Sequence, residues 1–533
     1  MRTLFAFAIT VLLLAGCGGG GRTESDSGSH GTVDWPHWGN VAENTHYADL
    51  DQVDRESVGG LRVAWSRGQG QGQVAWETFP IVVERTMYYD TGTDRVYAVD
   101  ATTGKVRWTY SPPVDFIAGP GFVTNEPVSR GVTYGDGRIY VTTADDQLIA
   151  LDAKTGKPRW KTQVVDPEKG NTMNSPGAYF DGELIVGGPA GDAGLRGFVA
   201  AYDAASGKQL WRTFMVPPPA KREAGGRIGY GGGDVWMPPV VDPRSGTAYV
   251  STGNPTPGFS NAGRHGCNAL ADASVALDAK TGKIEWSHTE VCNDSWDYDT
   301  VQAPTLLDLK QPQGAPVRAV GAASKSGYYA TLDAHSGELI ARTDHVTSYS
   351  LPHLRPTRKG VVVCPGIYGG LEYGPASFSA PTQSLFVAGN NFCMRYKVAL
   401  RAELEAHVPG EDNLGGTVEQ VGEATGVVAA LDPATGKIRW RTDLPRPANG
   451  GTLATAGGLV LLGDDDGFLR ALDDRTGKVL WRYDLKRRVG SAPIAYEIDG
   501  VEYIAIAAGG SLVEARGTVP DRPGRLFVFR LGD

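Results

Sequence analysis

No block of lysines or arginines in the 533 residues could follow a phosphate backbone, and 51 basic against 60 acidic residues leave a formal net charge of −9. Nucleic acid is thereby excluded as a partner. A mildly acidic surface suits a basic or dipolar protein partner, although most soluble proteins carry one. No Cys-x-x-Cys-His occurs, which excludes c-type haem attachment. Cysteine is scarce, with five in all, whereas the 72 glycines are in surplus and follow no collagen period, so they point to many turns. The apolar run Leu4 to Leu14 is too short to cross a bilayer. With Arg2 ahead of it and small residues behind it, residues 1–16 read as a secretory signal.

Leu14-Ala15-Gly16-Cys17 resembles a bacterial lipobox, in which Cys17 becomes the lipidated first residue; an ordinary cleavable signal with an incidental cysteine is the alternative. Residues 17–33 are dominated by glycine, serine and charge, which cannot pack and are expected to form a flexible tether. Residues 34–533 are expected to be the folded part. This organisation predicts an exported protein of the cell envelope, held to a membrane by its lipid and facing the periplasm or the exterior. Cys267, Cys292, Cys364 and Cys393 are an even number in an oxidising compartment, which favours two disulfides. Sequence order suggests Cys267 with Cys292 and Cys364 with Cys393, among three possible pairings.

Length alone would allow several domains, but internal repetition decides for one. Seven segments share an apolar strand, an Asp, a Thr/Ser-Gly turn and a second strand that usually closes on Trp: Val96 to Trp108, Leu148 to Trp160, Val199 to Trp211, Val275 to Trp286, Tyr329 to Arg342, Val428 to Trp440 and Leu469 to Trp481. Each reads as a β-hairpin whose turn needs positive φ at glycine. Asp100, Asp152, Asp203, Asp278, Asp333, Asp432 and Asp473 are set to accept turn N–H groups, and the Trp to dock one sheet on the next. An eighth unit is expected from Glu502 to Ala508 and Arg525 to Arg530, met by an outer strand around Val63 to Trp65. Pairing the two chain ends would close the ring and remove free sheet edges. The fold class is therefore all-β, an eight-bladed β-propeller with tryptophan-docking motifs. The long gaps between repeats are expected to hold insertions on one binding face.

The repeat, the opening DWPHWGNVAENTHYADLDQV and the C-terminal NGGTLATAGGLVLLGDDDGFLRALDDRTGKVLWRY and GSAPIAYEIDGVEYIAIAAGG together resemble the quinoprotein alcohol dehydrogenases, from Asp34 to the end. The resemblance implies pyrroloquinoline quinone (PQQ) with a lanthanide(III) or Ca²⁺ ion on the propeller axis, and oxidation of an alcohol or similar hydroxyl compound. Without a haem motif, electrons would leave to a separate acceptor such as a cytochrome c.

Such chemistry needs a base for the hydroxyl proton and hard oxygen ligands for a cation. By resemblance, Asp297 in DSWDYD is the base and a metal ligand, Asn254 in STGNP is a ligand, and Asp192 in GDAGLRG stands where the family has a metal-binding glutamate. Asp299, two residues after the base, resembles the lanthanide-dependent members, and strand alternation would aim it to the same side as Asp297. Trp236 in GGGDVWMPP matches the family's cofactor floor, while Arg130 in VSRG, Lys325 in KSG and Glu77 in WETFP match its cofactor contacts. Each has a plainer alternative: turn formers for Asp192 and Asn254, a buried structural carboxylate for Asp297, a solvated loop aspartate for Asp299 and a surface lysine for Lys325. There are also departures. Thr124-Asn125 replaces the adjacent cysteines of many relatives, Asp192 is one methylene short, Thr172 or Met173 stands where a threonine is expected, and Glu372-Tyr373 replaces Asn-Trp. The competing reading is a non-catalytic propeller lipoprotein that assists envelope assembly, which would have no use for this residue set.

Overall fold

The computed structural model describes residues 32–69, 75–114, 128–166, 173–188, 191–216, 231–264, 266–311, 314–350, 355–408, 410–411, 413–509 and 522–532. Cys17, the tether before residue 32, Thr124, Asn125 and Thr172 lie outside them.

Among the described residues, besides a two-stranded sheet formed by Gly231–Gly232 and Pro255–Thr256, eight sheets of four or five strands follow one another along the chain. We number them as blades: 81–110, 133–163, 178–214, 240–289, 305–342, 361–444, 452–484, and an eighth formed by 494–531 with 61–68. Within the eighth, Leu61–Gly68 pairs antiparallel with Arg525–Leu531 as the outer strand, so the two ends of the chain are sewn together as the sequence suggests. Val33 also bridges Glu497, and Tyr47–Ala48 adds a parallel strand to blade 7.

The joints between blades follow from the repeat. The indole N–H groups of Trp65, Trp108, Trp160, Trp211, Trp286 and Trp440 donate to the carbonyls of Ala101, Ala153, Ala204, Ala279, Ala334 and Asp474 on the next blade, at 2.9–3.1 Å. Each ring lies over the glycine of that blade's turn. Five of these tryptophans stand opposite an alanine of their own sheet, next to a register shift, which leaves the indole free to lean onto its neighbour. Trp65 is thus a docking tryptophan as well as part of the closing strand. Blade 5 departs from the pattern: Ala341 pairs with Thr331 where the indole would stand, and the Gly436 turn packs directly on the Arg342 backbone. The seven repeat aspartates all accept N–H groups of their own turns, as in Asp100 from Thr102 and Thr103, and Asp432 from Ala434 and Thr435.

Both expected disulfides are present, Cys267–Cys292 and Cys364–Cys393, with Cα–Cα distances of 4.4 and 4.3 Å. They tie the loop after blade 4 and the long hairpin of blade 6, Ser384–Val398 and Gly416–Leu431, which extends past its sheet.

Gly137 and Gly156 separate the two costs of replacing a turn glycine. Both have φ near +70°, but a Cβ on Gly137 meets nothing within 4 Å while one on Gly156 falls 2.6 Å from the Trp108 ring. Gly137→Ala is expected to lose about 1 kcal/mol from backbone strain, and Gly156→Ala a further ~1–3 kcal/mol from the overlap. Denaturant unfolding measures both; equal losses would mean that indole docking contributes nothing at this joint.

Candidate functional site

One topological rule gathers the site. The loop entering each inner strand lies at the same end of the ring, three to eight residues ahead of that strand. It carries Glu77 before Ile81–Val83, Arg130 before Thr133–Gly135, Asn174 before Ala178–Phe180, and Trp236 before Val240–Val241. Asp297 and Asp299 precede Thr305–Leu309, and Glu372 and Tyr373 precede Ser377–Ser379. The turns between the second and third strands of blades 3, 4 and 5 open at the same end and bring Asp192, Asn254 and Lys325.

Two ionic groups result. In the first, Arg130 Nη2 lies 2.7 Å from Glu77 Oε2, and Nη1 donates to Asn174 Oδ1 at 2.8 Å. The guanidinium lies 5.1 Å from the Trp236 ring centroid and 5.0 Å from that of Tyr373, while Trp38 donates its indole N–H to the Arg130 carbonyl. In the second, Lys325 Nζ lies 2.9 Å from Asp297 Oδ2 and 2.9 Å from Asp299 Oδ2, 3.9 Å from Glu372 Oε1, and 5.7 Å from the Trp236 centroid. Trp236 is therefore a flat apolar surface flanked by two buried cations.

Lys325, Asp297 and Asp299 are all buried, so neither the surface-lysine nor the solvated-aspartate alternative holds. The strand argument for Asp297 and Asp299 is corrected: their segment is a loop, with Asp297 at φ +66°. Both carboxylates reach Lys325 because the chain bends there. Asp299 Oδ1 also accepts the Asn254 backbone N–H at 2.7 Å.

The electrostatics follow from burial. Burial raises the Asp297 carboxyl well above its ordinary value; Lys325 opposes this, and Asp299 and Asp192 reinforce it. Burial works against the Lys325 ammonium, yet Asp297, Asp299 and Glu372 together hold its pKa well above the usual lysine value. Asp234, two residues before Trp236, is raised in the same way by burial and by Asp299 and Asp192. It fits only because Gly191 and Gly253 leave room for its carboxylate. Asp192 acts on Asp297 and Asp234 through its charge, and its carbonyl accepts the Asn413 N–H.

A hard cation suits this donor set. The Asn254 amide stands 3.0 Å from Asp297 Oδ1 and 3.2 Å from Asp299 Oδ1. With nitrogen facing the carboxylates it donates to both; with oxygen facing them three oxygens converge, which is repulsive unless a cation lies among them. Among the described residues no three His, Cys, Asp or Glu side chains are placed to hold a metal by themselves; Asp297, Asp299 and the Asn254 amide are the three groups whose oxygens can converge.

Asp234, Asn174 and Trp38 were not singled out as site residues from the sequence, and Glu372 and Tyr373 only as departures. The signal that could have found most of them is position: a polar or aromatic side chain a few residues ahead of an inner strand.

Residues 35–347 match the family described as glucose/ethanol/alcohol dehydrogenase, β-propeller domain. The quinohemoprotein alcohol dehydrogenase of Comamonas testosteroni is 32% identical over 93% of this chain and 76% of that protein. Its crystal structure superposes with a TM-score of 0.85, covering 94% of this chain and 81% of that one. The lanthanide-dependent methanol dehydrogenase of Methylacidiphilum fumariolicum (strain SolV) is 31% identical over 78% of this chain and 74% of that protein. A europium-containing methanol dehydrogenase structure gives a TM-score of 0.83 at 27% identity, covering 94% of this chain and 98% of that one. Residues 424–515 match the family described as outer membrane protein assembly factor BamB. That stretch holds docking repeats and none of the eight residues from Glu77 to Lys325 expected from the sequence to form the site, so the repeat accounts for the match.

Glu372 gives this site a pH signature. Burial raises its pKa to about 7, with Lys325 opposing and Asp299 and Glu77 adding, against an ordinary 4.5. The folded protein keeps this proton where the unfolded chain has lost it, so stability falls as pH rises from 4.5 to 7. Thermal melts of the cofactor-free protein at pH 5 and pH 8 should show a smaller drop in Glu372→Gln, the difference reaching at most ~3 kcal/mol. Glu290 and Glu502 shift in the same direction and cancel in the comparison. Identical drops in both proteins would refute the assignment.

Proposed function

Since the chain belongs to the PQQ-dependent quinoprotein alcohol dehydrogenases and is a dehydrogenase that passes electrons to an external carrier, we propose that Asp297 is the base of its reaction and that Trp236 is the floor for the quinone. The observation that carries this reading is the buried Asp297–Lys325–Asp299 contact beside the Trp236 face. Bound there, the quinone would accept the carbon-bound hydrogen with its electron pair, and a cation would polarise the quinone carbonyl.

The chain's own residues do the rest. Asp297 accepts the proton of the substrate hydroxyl, and burial makes its carboxylate a stronger base than an exposed one. Lys325 keeps a positive charge beside it and can donate to a quinone oxygen. Arg130, held by Glu77 and Asn174, supplies a fixed fork for a carboxylate of the cofactor. Asn254, Asp297 and Asp299 would supply oxygens for the cation, with Asp192, the fourth ligand expected from the sequence, and Asp234 adding charge beside them. Relatives named for haem and for lanthanide bracket the finer choices. Here a separate cytochrome-type acceptor fits the lack of a haem motif, and the extra Asp299 carboxylate favours a trivalent ion. Two disulfides suit the exported, lipid-anchored location expected from Cys17.

Asp297→Ala, loaded with quinone and metal, should lose about 10²–10⁴-fold in dye-linked turnover while melting like the wild type. Full turnover in that variant would remove Asp297 from the chemistry. La³⁺ or Ce³⁺ should support more activity than Ca²⁺, and Asp299→Ser should shift the preference toward Ca²⁺. Equal activity with Ca²⁺ in both proteins would overturn the trivalent assignment and leave the dehydrogenase standing.

A further inference from the structure

The base sits in an improbable backbone conformation. Asp297 has φ +66° and is 4% exposed, and a non-glycine residue pays for the left-handed region unless its surroundings impose it. Something must therefore enforce the bend, and the contacts show what does.

The Asp294 carboxylate spans it. Oδ1 accepts the N–H of Trp296 at 3.0 Å and Oδ2 the N–H of Tyr298 at 2.9 Å, so the peptides before Trp296 and after Asp297 are held by the two oxygens of one buried side chain. Asp294 is fixed in turn, since its own carbonyl takes a 2.6 Å hydrogen bond from Arg264 Nη2, which also reaches the carbonyls of Ser260 and Pro257. From the other side, the long hairpin of blade 6 closes on the loop. Tyr396 donates its hydroxyl to the Trp296 carbonyl at 3.1 Å and meets that indole edge-on at 5.3 Å. Tyr298 donates to the Pro365 carbonyl at 2.8 Å, next to the disulfide-bonded Cys364. The loop ends are tied as well, at Cys292 by its disulfide to Cys267 and at Asp299, whose carbonyl accepts the Lys325 N–H at 3.0 Å.

We propose that Asp294 is the positioning residue of the base: it imposes the left-handed turn at Asp297 and so sets where the Asp297 carboxylate stands relative to Lys325 and the substrate hydroxyl, with Tyr396 of blade 6, and Tyr298 of the loop itself reaching Pro365 of that blade, as its clamp. Asp294 touches no reacting atom in this scheme and acts only through the backbone. The inference rests on Asp297 being the base. A carboxylate is required because two N–H groups converge on it; asparagine offers one oxygen and turns an NH₂ toward the second N–H, and alanine offers none.

The test uses the full chain loaded with PQQ and its metal, comparing Asp294→Asn, Asp294→Ala, Tyr298→Phe, Tyr396→Phe and Asp297→Ala. Displacement of a reacting group by an ångström costs on the order of 10²-fold. Asp294→Ala should therefore lose about that much in kcat with KM within threefold, Asp294→Asn should fall between it and the wild type, and each Tyr→Phe variant should lose roughly three- to tenfold. Quinone binding, followed by absorbance, should stay within threefold in the Asp294 and Tyr variants. Turnover in Asp294→Ala close to that of the wild type, with Asp297→Ala inactive, would overturn the positioning role and keep the base. Turnover retained in Asp297→Ala would overturn the base reading itself. If Asp294→Ala does not fold, the Tyr variants decide: full kcat in both, or a loss matched by equally weakened quinone binding, refutes the clamp.

Discussion

The structure depends on an indole lying on a glycine. Each docking tryptophan projects from the outer strand of one blade onto the turn of the next, and its N–H is satisfied by a carbonyl there, so burial of a large apolar ring leaves no polar cost. Repeated around the ring, this joint sets the rotation from blade to blade. The pairing of Leu61–Gly68 with Arg525–Leu531 then allows the series to close only as a complete ring. Two joints differ among the described residues: between blades 5 and 6 backbone contact at Gly436 takes the place of the ring, and between blades 7 and 8 Trp481 meets Phe529 edge-on at 6.1 Å.

Closure has a chemical consequence. In an open row of sheets, the loops ahead of the inner strands would be strung along an edge; in a closed ring they converge, and side chains from blades 1 to 6 meet over Trp236. The converging charges are mostly negative. Asp297, Asp299, Asp234 and Glu372 share Lys325 as a nearby cation, Asp192 adds its charge to Asp297 and Asp234, and burial magnifies the imbalance. An excess of buried oxygen charge of this kind is offset by protonation or by a bound cation; a carboxyl that keeps its proton cannot act as a base, so the role proposed for Asp297 calls for the cation.

The propeller was legible because its information is local. An Asp, a Thr-Gly turn and a closing Trp recur within a dozen residues, and each part has its own physical reason in the hairpin. The chain-closing strand was legible for the same reason, as a period-two apolar segment left over at each end. Sequence resemblance also pointed to the eight expected site residues, since their motifs are short and sit between recognisable repeats. Strand alternation misjudged how Asp297 and Asp299 share a direction, because a left-handed bend held by Asp294 leaves no trace in apolar periodicity. The resemblance passed over Asp234, whose importance comes from the glycines that make room for it.

What the sequence alone determined, then, is whatever lies within one hairpin or one motif: the repeat, the turn aspartates, the docking indoles, the cysteines and the residue types of an oxidation site. What only tertiary structure decided is which of those groups meet. Glu77 with Arg130, Lys325 with Asp297 and Asp299, and Tyr396 with Trp296 are separated by 26 to 100 residues. Their contact follows from ring closure rather than from spacing. The same holds for charge, because a carboxylate's proton affinity depends on burial and neighbours that no single strand contains.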